Sequence, residues 1–187
     1  MRRRTLVIMV KEPRPGRVKT RLGRDIGMTT AAWWYRHQTR TLLRRLQDPR
    51  WQIVLAVAPD HEGLQSRVWP AHFLRLQQGT GDLGRRMARA LAATRGPTLL
   101  IGSDIPGVRP HHIARAFQSL RPGGAVIGPA PDGGYWLVGL DHPRHTPSLF
   151  KNVRWSSKHT LIDTVKTLPR PLAEADALND VDEAGDL

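Results

Sequence analysis

Residues 5–22 read TLVIMVKEPRPGRVKTRL, and this stretch decides the fold. The run Thr5 to Val10 is a short strand pattern. The chain then breaks at Pro13, Pro15 and Gly16 while collecting Lys11, Arg14, Arg17, Lys19 and Arg21. A basic loop directly after a first strand gathers cations at the carboxyl end of a sheet. In open α/β sheets that edge is where ligands bind, and free N–H groups at the start of the next helix add affinity for phosphate. The loop therefore predicts an anionic ligand, against the plainer reading of a solvated basic surface loop.

Outward from that stretch, short apolar runs alternate with longer amphipathic ones, the pattern of a mostly parallel sheet covered by helices. Thr29 or Thr30 is placed to cap a helix reaching about Leu46, with Trp33, Trp34, Leu42, Leu43 and Leu46 available for burial. Strands are expected at Gln52–Ala58 and Phe73–Leu76. A helix over Gly81–Thr94 follows, carrying Leu83, Met87, Ala90 and Leu91 on one face. Thr98–Ile101 reads as a buried strand, and Pro110–Leu120 as a helix. Strands Ala125–Ile127 and Tyr135–Leu140 have no helix between them, which predicts an antiparallel member in a mixed sheet. A short helix near Ser157–Thr167 precedes an acidic tail running from Asn179 to Glu183. With 187 residues and no linker or repeat, a single domain is expected.

Composition removes several functional classes. The chain has no cysteine, so disulfides, thiolate catalysis and Cys-ligated zinc are excluded, and a cytoplasmic location is the default. Met1-Arg2-Arg3-Arg4 has the charge of a signal peptide, but the apolar run behind it is too short, and it reads as the approach to a first strand. No apolar stretch nears the ~20 residues that cross a bilayer. The eight histidines show neither HxxxH nor HExxH spacing, and no GxSxG elbow is present, which argues against a zinc hydrolase or a serine hydrolase. The net charge of +13 invites a nucleic-acid reading. Its arginines are spread over several segments, however, including Arg36, Arg40, Arg44 and Arg45 in one helix and Arg85, Arg86 and Arg89 in another, and no nucleic-acid motif accompanies them.

Several segments carry candidate chemistry. In LLIGSDIPGV, residues 99–108, Ser103 and Asp104 follow a buried strand on the same sheet edge as the basic loop. A divalent ion such as Mg²⁺ is commonly held by one or two carboxylates with phosphate oxygens and water, so Asp104 is a metal-ligand candidate; equally, it could cap a turn with Pro106. GPAPDGGYWLVGL, residues 128–140, presents Asp132 on a stiff turn in which Gly133 and Gly134 let the backbone approach a ligand beside Tyr135. QGTGDLG, residues 78–84, is a glycine-rich lead-in to a helix where Gly79 and Asp82 could meet a phosphate or a base edge, or Asp82 could simply be an N-cap. Trp155 is placed to face an acceptor or to pack in the core. Asp180 and Asp182 could complete a metal site or form a solvated acidic helix start.

Taken in order, KEPRPGRVKTRL, QGTGDLGRRM, LLIGSDIPGV, GPAPDGGYWLVGL, LFKNVRWS and NDVDEAGDL resemble the glycosyltransferase-like proteins associated with radical-SAM and selenoprotein domains. That group is similar in turn to phospholactate guanylyltransferase and, more distantly, to molybdenum-cofactor guanylyltransferases. The resemblance implies a Rossmann-like GT-A fold, that of nucleotide-diphospho-sugar transferases: α/β, with a central mixed, mainly parallel sheet flanked by helices. It also implies a nucleotide-sugar or NTP donor, a small-molecule acceptor and Mg²⁺ or Mn²⁺. Carried over, Lys11, Lys19 and Arg21 would grip the nucleotide phosphates, with Arg14, Gly79, Asp82 and Ser103 also binding the nucleotide. Asp104 and Asp182 would hold the metal, and Asp132 would face the acceptor with Gly133, Gly134, Tyr135 and Trp155. The chain departs from the group after Asp182, where Glu183-Ala184-Gly185-Asp186-Leu187 replaces the usual Thr-Pro-Glu-Asp-Leu.

Two reactions fit these residues. Glycosyl transfer breaks the bond between sugar and diphosphate; nucleotidyl transfer attacks the α-phosphorus of an NTP and releases pyrophosphate. Both place catalysis in electrostatics and orientation, with Asp104 and Asp132 as the catalytic carboxylates. A non-catalytic nucleotide-binding module and a basic nucleic-acid-binding module are the readings of another class.

Overall fold

A computed structural model describes residues 3–146 and 148–179. All described strands join one seven-stranded sheet: β1 Thr5–Lys11, β2 Gln52–Ala58, β3 Leu74–Gln77, β4 Thr98–Ile101, β5 Ala125–Pro129, β6 Tyr135–Leu140 and β7 Leu172–Glu174. Their order is β3-β2-β1-β4-β6-β5-β7. Strands β3, β2, β1 and β4 are mutually parallel, β6 pairs antiparallel with both β4 and β5, and β7 runs parallel to β5. The mixed sheet with its antiparallel member is the one expected from the missing crossover helix between β5 and β6. The central strands are apolar on both faces because helices cover both, and Leu6, Val7 and Ile8 of β1 have no exposure at all.

Six α-helices among the described residues connect these strands: α1 Thr20–Ile26, α2 Met28–Arg45, α3 Asp60–Gln65, α4 Leu83–Ala92, α5 Pro110–Ser119 and α6 Thr160–Val165. On one face, α2 and α5 pack Tyr35, Leu42, Leu43, Ile113 and Phe117 against Leu6, Ile8 and Leu99. On the other, Met87, Ala90 and Leu91 of α4 join Leu149, Phe150 and Leu168 over Val7, Ala56 and Leu100. A helical period on α2 explains its burial pattern, with Ala31, Ala32, Tyr35, Thr39, Leu42 and Leu43 inward. Trp33, expected in the core, is instead 61% exposed and lies against His37, with ring centroids 4.0 Å apart and planes tilted by 42°. One position separates it from the inward stripe, and that turns its ring outward. The helix begins at Met28 behind Gly27, whose φ of +91° only glycine adopts readily, and not behind Thr29 or Thr30.

Two helices and a strand lie where sequence patterning gave only loop. α1 occupies the second half of the basic segment, α3 follows Pro59, and β7 adds a short edge. Arg75 fastens α3 to β3, donating to the carbonyls of Gly63, Leu64, Ser66 and Trp69 at 2.8–3.1 Å.

Candidate active site

The parallel strands β1 and β4 end side by side, and antiparallel β6 begins at the same edge, so three connections converge there. They enclose a cavity of about 660 Å³ lined by Lys11, Lys19 and Arg21 from the basic loop, Ser103 and Asp104 after β4, and Asp132, Gly134 and Tyr135 from the β5–β6 turn. Trp155, Ser157 and Lys158 close it from the segment before α6, and Gln78, Leu83 and Arg86 from the segment around the start of α4. Five cationic side chains, Lys11, Lys19, Arg21, Arg86 and Lys158, face two carboxylates, Asp104 and Asp132. The surplus of positive charge suits a polyanionic ligand.

Lys19 is the geometric hinge of the basic loop. Its side chain is only 5% exposed, and its Nζ lies 2.9 Å from Asp104 Oδ2. Its backbone sits in the left-handed region, φ 47° and ψ 48°, at the N-cap of α1, a conformation that costs a non-glycine residue about 1–2 kcal/mol. The Lys19 carbonyl accepts from Gly23 N at 2.8 Å, which closes the first turn of α1 and helps hold the strained residue in place.

A hydrogen-bonded chain behind Lys19 escaped the sequence reading. Lys11 N donates to Tyr35 Oη at 2.9 Å, Tyr35 Oη meets Ser103 Oγ at 2.9 Å, and Ser103 Oγ donates to Asp104 Oδ1 at 3.4 Å. With Ser103 donating onward, the phenol is the donor to Ser103. Burial, reinforced by the Asp104 charge, pushes the Tyr35 phenol well above its ordinary range, so it stays protonated in that role. Tyr35 thus ties the end of β1 to the loop after β4. Its only signal in sequence was its place on the inward stripe of α2.

Gln78 does the equivalent on the other side. Its Nε2 donates to Val10 O and Ala56 O at 3.1 and 2.7 Å, pinning the ends of β1 and β2, while its Oε1 accepts from Arg86 Nη2. Gly84 permits Trp155 to lie against α4: a Cβ there would stand 2.6 Å from Trp155 Cζ2 and 2.9 Å from Phe150 Cβ. The β5–β6 turn is fixed by Asp132 Oδ1, which accepts from Gly134 N at 2.8 Å, and by Gly133 O, which accepts from Leu161 N at 3.0 Å. Gly133 itself has φ +86° and packs so closely on the Lys158 backbone that a Cβ would fall 2.8 Å from its Cα.

Four of the expected contacts have other partners. Arg14 pairs with Glu62 of α3 at 3.0 Å and does not line the cavity. Gly79 N donates to Asp60 Oδ1 at 2.9 Å, which occupies the N–H offered to a phosphate. Asp82 is the N-cap of α4, accepting from Arg85 N at 2.8 Å, the plainer of its two readings. Gly133 serves the turn, as just described. Leu83, assigned to the buried face of its helix, is 44% exposed and reaches the cavity from the first turn of α4. Asp180 and Asp182 lie outside the described residues. The last described segment runs along β5 toward the cavity edge, with Ala175 N donating to Ile127 O and Leu178 N to Pro129 O.

A hard divalent ion takes few protein ligands when the substrate brings phosphate oxygens. Asp104 and Asp132 in one cavity fit that arrangement, and among the described residues there is no cluster of three or more His, Cys, Asp or Glu side chains able to hold a metal alone. The donor set therefore fits an ion carried largely by the ligand.

Residues 41–157 match a family described as uncharacterized protein conserved in bacteria (DUF2064). No curated protein matches the sequence. Among solved structures, one similar to this chain is a Desulfovibrio desulfuricans G20 protein provisionally named a nucleotide-diphospho-sugar transferase. The two share 31% identity at a TM-score of 0.83, over 98% of this chain and 84% of that one. The fold recurs in Rv0371c of Mycobacterium tuberculosis H37Rv, solved with manganese, at 15% identity and a TM-score of 0.59 over 99% and 96% of the two chains. It recurs again in the inositol-1-phosphate CTP transferase of T. maritima, at 13% identity and a TM-score of 0.58 over 99% and 91%. The architecture is that of the nucleotide-diphospho-sugar transferases. No helix among the described residues is long and apolar enough to cross a membrane.

Proposed function

We propose that this chain, which belongs to the DUF2064 family of bacterial proteins, is a transferase using a nucleotide-linked donor, and that its reaction is glycosyl transfer from a nucleotide-diphospho-sugar. The observation that carries this reading is the buried Lys19 ammonium held against Asp104 in a cavity shared with Lys11 and Arg21. An ammonium so enclosed, beside further cations and one carboxylate, matches a diphosphate with an accompanying cation. The name given to the 31% identical Desulfovibrio protein supports the donor class.

In this reading Lys11, Lys19 and Arg21 hold the diphosphate and neutralise the charge that grows on it as the sugar departs. The acceptor hydroxyl forms a bond to the anomeric carbon, the bond from that carbon to the diphosphate oxygen breaks, and the nucleoside diphosphate leaves with the electron pair. Asp132, oriented at Oδ1 by Gly134 N, takes the acceptor proton at its other oxygen. Gly134, Tyr135 and Trp155 shape the acceptor side. Mg²⁺ or Mn²⁺ bound through Asp104, with Asp182 as a second ligand, would add Lewis-acid stabilisation of the leaving group.

The test is product analysis with a panel of nucleotide sugars and of NTPs, each with Mg²⁺ or Mn²⁺. Expected is release of nucleoside diphosphate from a nucleotide sugar, reduced about 100-fold or more in Asp104→Asn. Pyrophosphate released from an NTP in the presence of a phosphorylated acceptor would replace glycosyl by nucleotidyl transfer. A thermal shift by GDP, UDP or GTP plus metal that is unchanged in Asp104→Asn would defeat the catalytic reading altogether.

A further inference from the structure

Arg86 is not explained by the diphosphate-binding group. It projects from α4, on the opposite face of the sheet from Tyr35, and reaches the same cavity. One end of its guanidinium is committed, since Nη2 donates to Gln78 Oε1 and Gln78 is itself anchored on Val10 O and Ala56 O. Its Nε is buried and has no hydrogen-bond partner among the described residues. A guanidinium positioned this firmly, with a buried N–H left open and no carboxylate beside it among those residues, is incomplete as a structural element. An orphaned charged donor is costly, and one that reaches a cavity calls for an explanation that a bound anion or ordered water supplies. Lys158, on the segment that packs against Gly133, lines the same cavity and brings a second positive charge.

We propose that Arg86 and Lys158 form a second anion site, which binds a phosphate or carboxylate of the substrates separate from the diphosphate held by Lys11, Lys19 and Arg21. This rests on the donor reading above for the identity of the first site, but the second stands on its own residues. Its anion comes from an acidic acceptor in glycosyl transfer or, where the donor is an NTP, from the third phosphate of that donor. Arg86 offers an oxyanion the guanidinium N–H groups that Gln78 does not use, while Lys158, exposed at the rim, acts as a movable point charge.

The experiment is calorimetric titration of the full chain with inorganic phosphate after saturation with inorganic pyrophosphate. One phosphate is expected to bind per chain in that state. Arg86→Gln weakens it tenfold or more while changing pyrophosphate affinity less than twofold, and Lys19→Met does the reverse. Lys158→Met, a substitution on an exposed side chain that leaves packing intact, weakens the phosphate about threefold and guards against a folding defect in the Arg86 variant. Phosphate binding abolished by pyrophosphate overturns the proposal, as does an Arg86→Gln variant that loses both anions equally. Repeating the titration with nucleotides separates the sources: competition by nucleoside triphosphates but not diphosphates assigns the anion to the donor, and competition by neither assigns it to the acceptor. If no nucleotide binds yet the Arg86-dependent phosphate persists, the donor reading falls and the second site survives.

Discussion

Tyr35→Phe removes a single oxygen, and its effect follows from where each of the lost bonds lies. The contact with Ser103 at 2.9 Å is buried, so Ser103 Oγ is left without that partner, a loss of about 1–3 kcal/mol for a buried polar group. The bond from Lys11 N is only partly buried, and water can replace the phenol there for about 0.5 kcal/mol. Together they give about 2 kcal/mol, which for a chain of this size lowers Tm by about 4–8 °C. Thermal melting and urea titration of the wild type, Tyr35→Phe, Ser103→Ala and the double variant complete a cycle, and a coupling of about 1 kcal/mol is expected between residues in direct contact. A Tyr35→Phe protein that melts within about 1 °C of the wild type, or single effects that add to within about 0.3 kcal/mol, would refute the chain from Lys11 to Asp104.

Lys19→Gly and Lys19→Met both delete the ion pair with Asp104, but only glycine relieves the left-handed backbone; the Gly variant should be the more stable by about 1 kcal/mol, and both should bind donor diphosphate at least tenfold more weakly by calorimetry. Gly84→Ala improves intrinsic helix propensity yet should destabilise the fold by about 1–3 kcal/mol in urea, because the new methyl overlaps the Trp155 ring; an unchanged or raised Tm would show that the ring is free to move. Hydrogen bonding from Arg154 holds the Asp163 carboxyl well below the usual carboxylate range, with Nε and Nη2 at 2.7 and 3.0 Å. A carboxylate depressed in the folded state stabilises above its ordinary value near 4 and loses that contribution as pH falls further, so Tm should drop on acidification below about pH 4 and drop less in Asp163→Asn. Parallel Tm-against-pH curves for the two proteins would contradict this.

The alternation of strands and helices was legible because it is written in hydrophobic period, and the antiparallel β6 because the chain between β5 and β6 is too short for a crossover. α1 was hidden by its own composition: Gly23, Gly27 and a run of cations look like loop, and only packing of Leu22 and the cap at Lys19 make it helical. α3 and β7 are too short to show a period, and β7 is half-buried at an edge. Within the candidate site, the gathering of Lys11, Lys19, Arg21 and Asp104 on one cavity could be read from their places in the connections after β1 and β4. Tyr35, Gln78 and Arg86 could not, since their roles arise from side chains that reach partners 24, 68 and 8 residues away in sequence. Asp82 shows the opposite case, in which a local cap was the whole explanation.

The reversal of β6 has a consequence for how such a protein could change its chemistry. Because that strand starts at the cavity edge, the tip of a tight hairpin, residues 130–134, brings Asp132 and Gly134 to the cavity on a connection separate from those after β1 and β4. Hairpin tips tolerate changes of length and sequence at little entropic expense, so in the proposed reaction the acceptor preference could be rewritten around Asp132 while the proposed diphosphate grip is left alone. The tip is clasped by the stretch from Lys158 to Leu161, however, and a graft that swaps only the tip would lose its seat. Exchange of acceptor between relatives should therefore require both pieces to travel together.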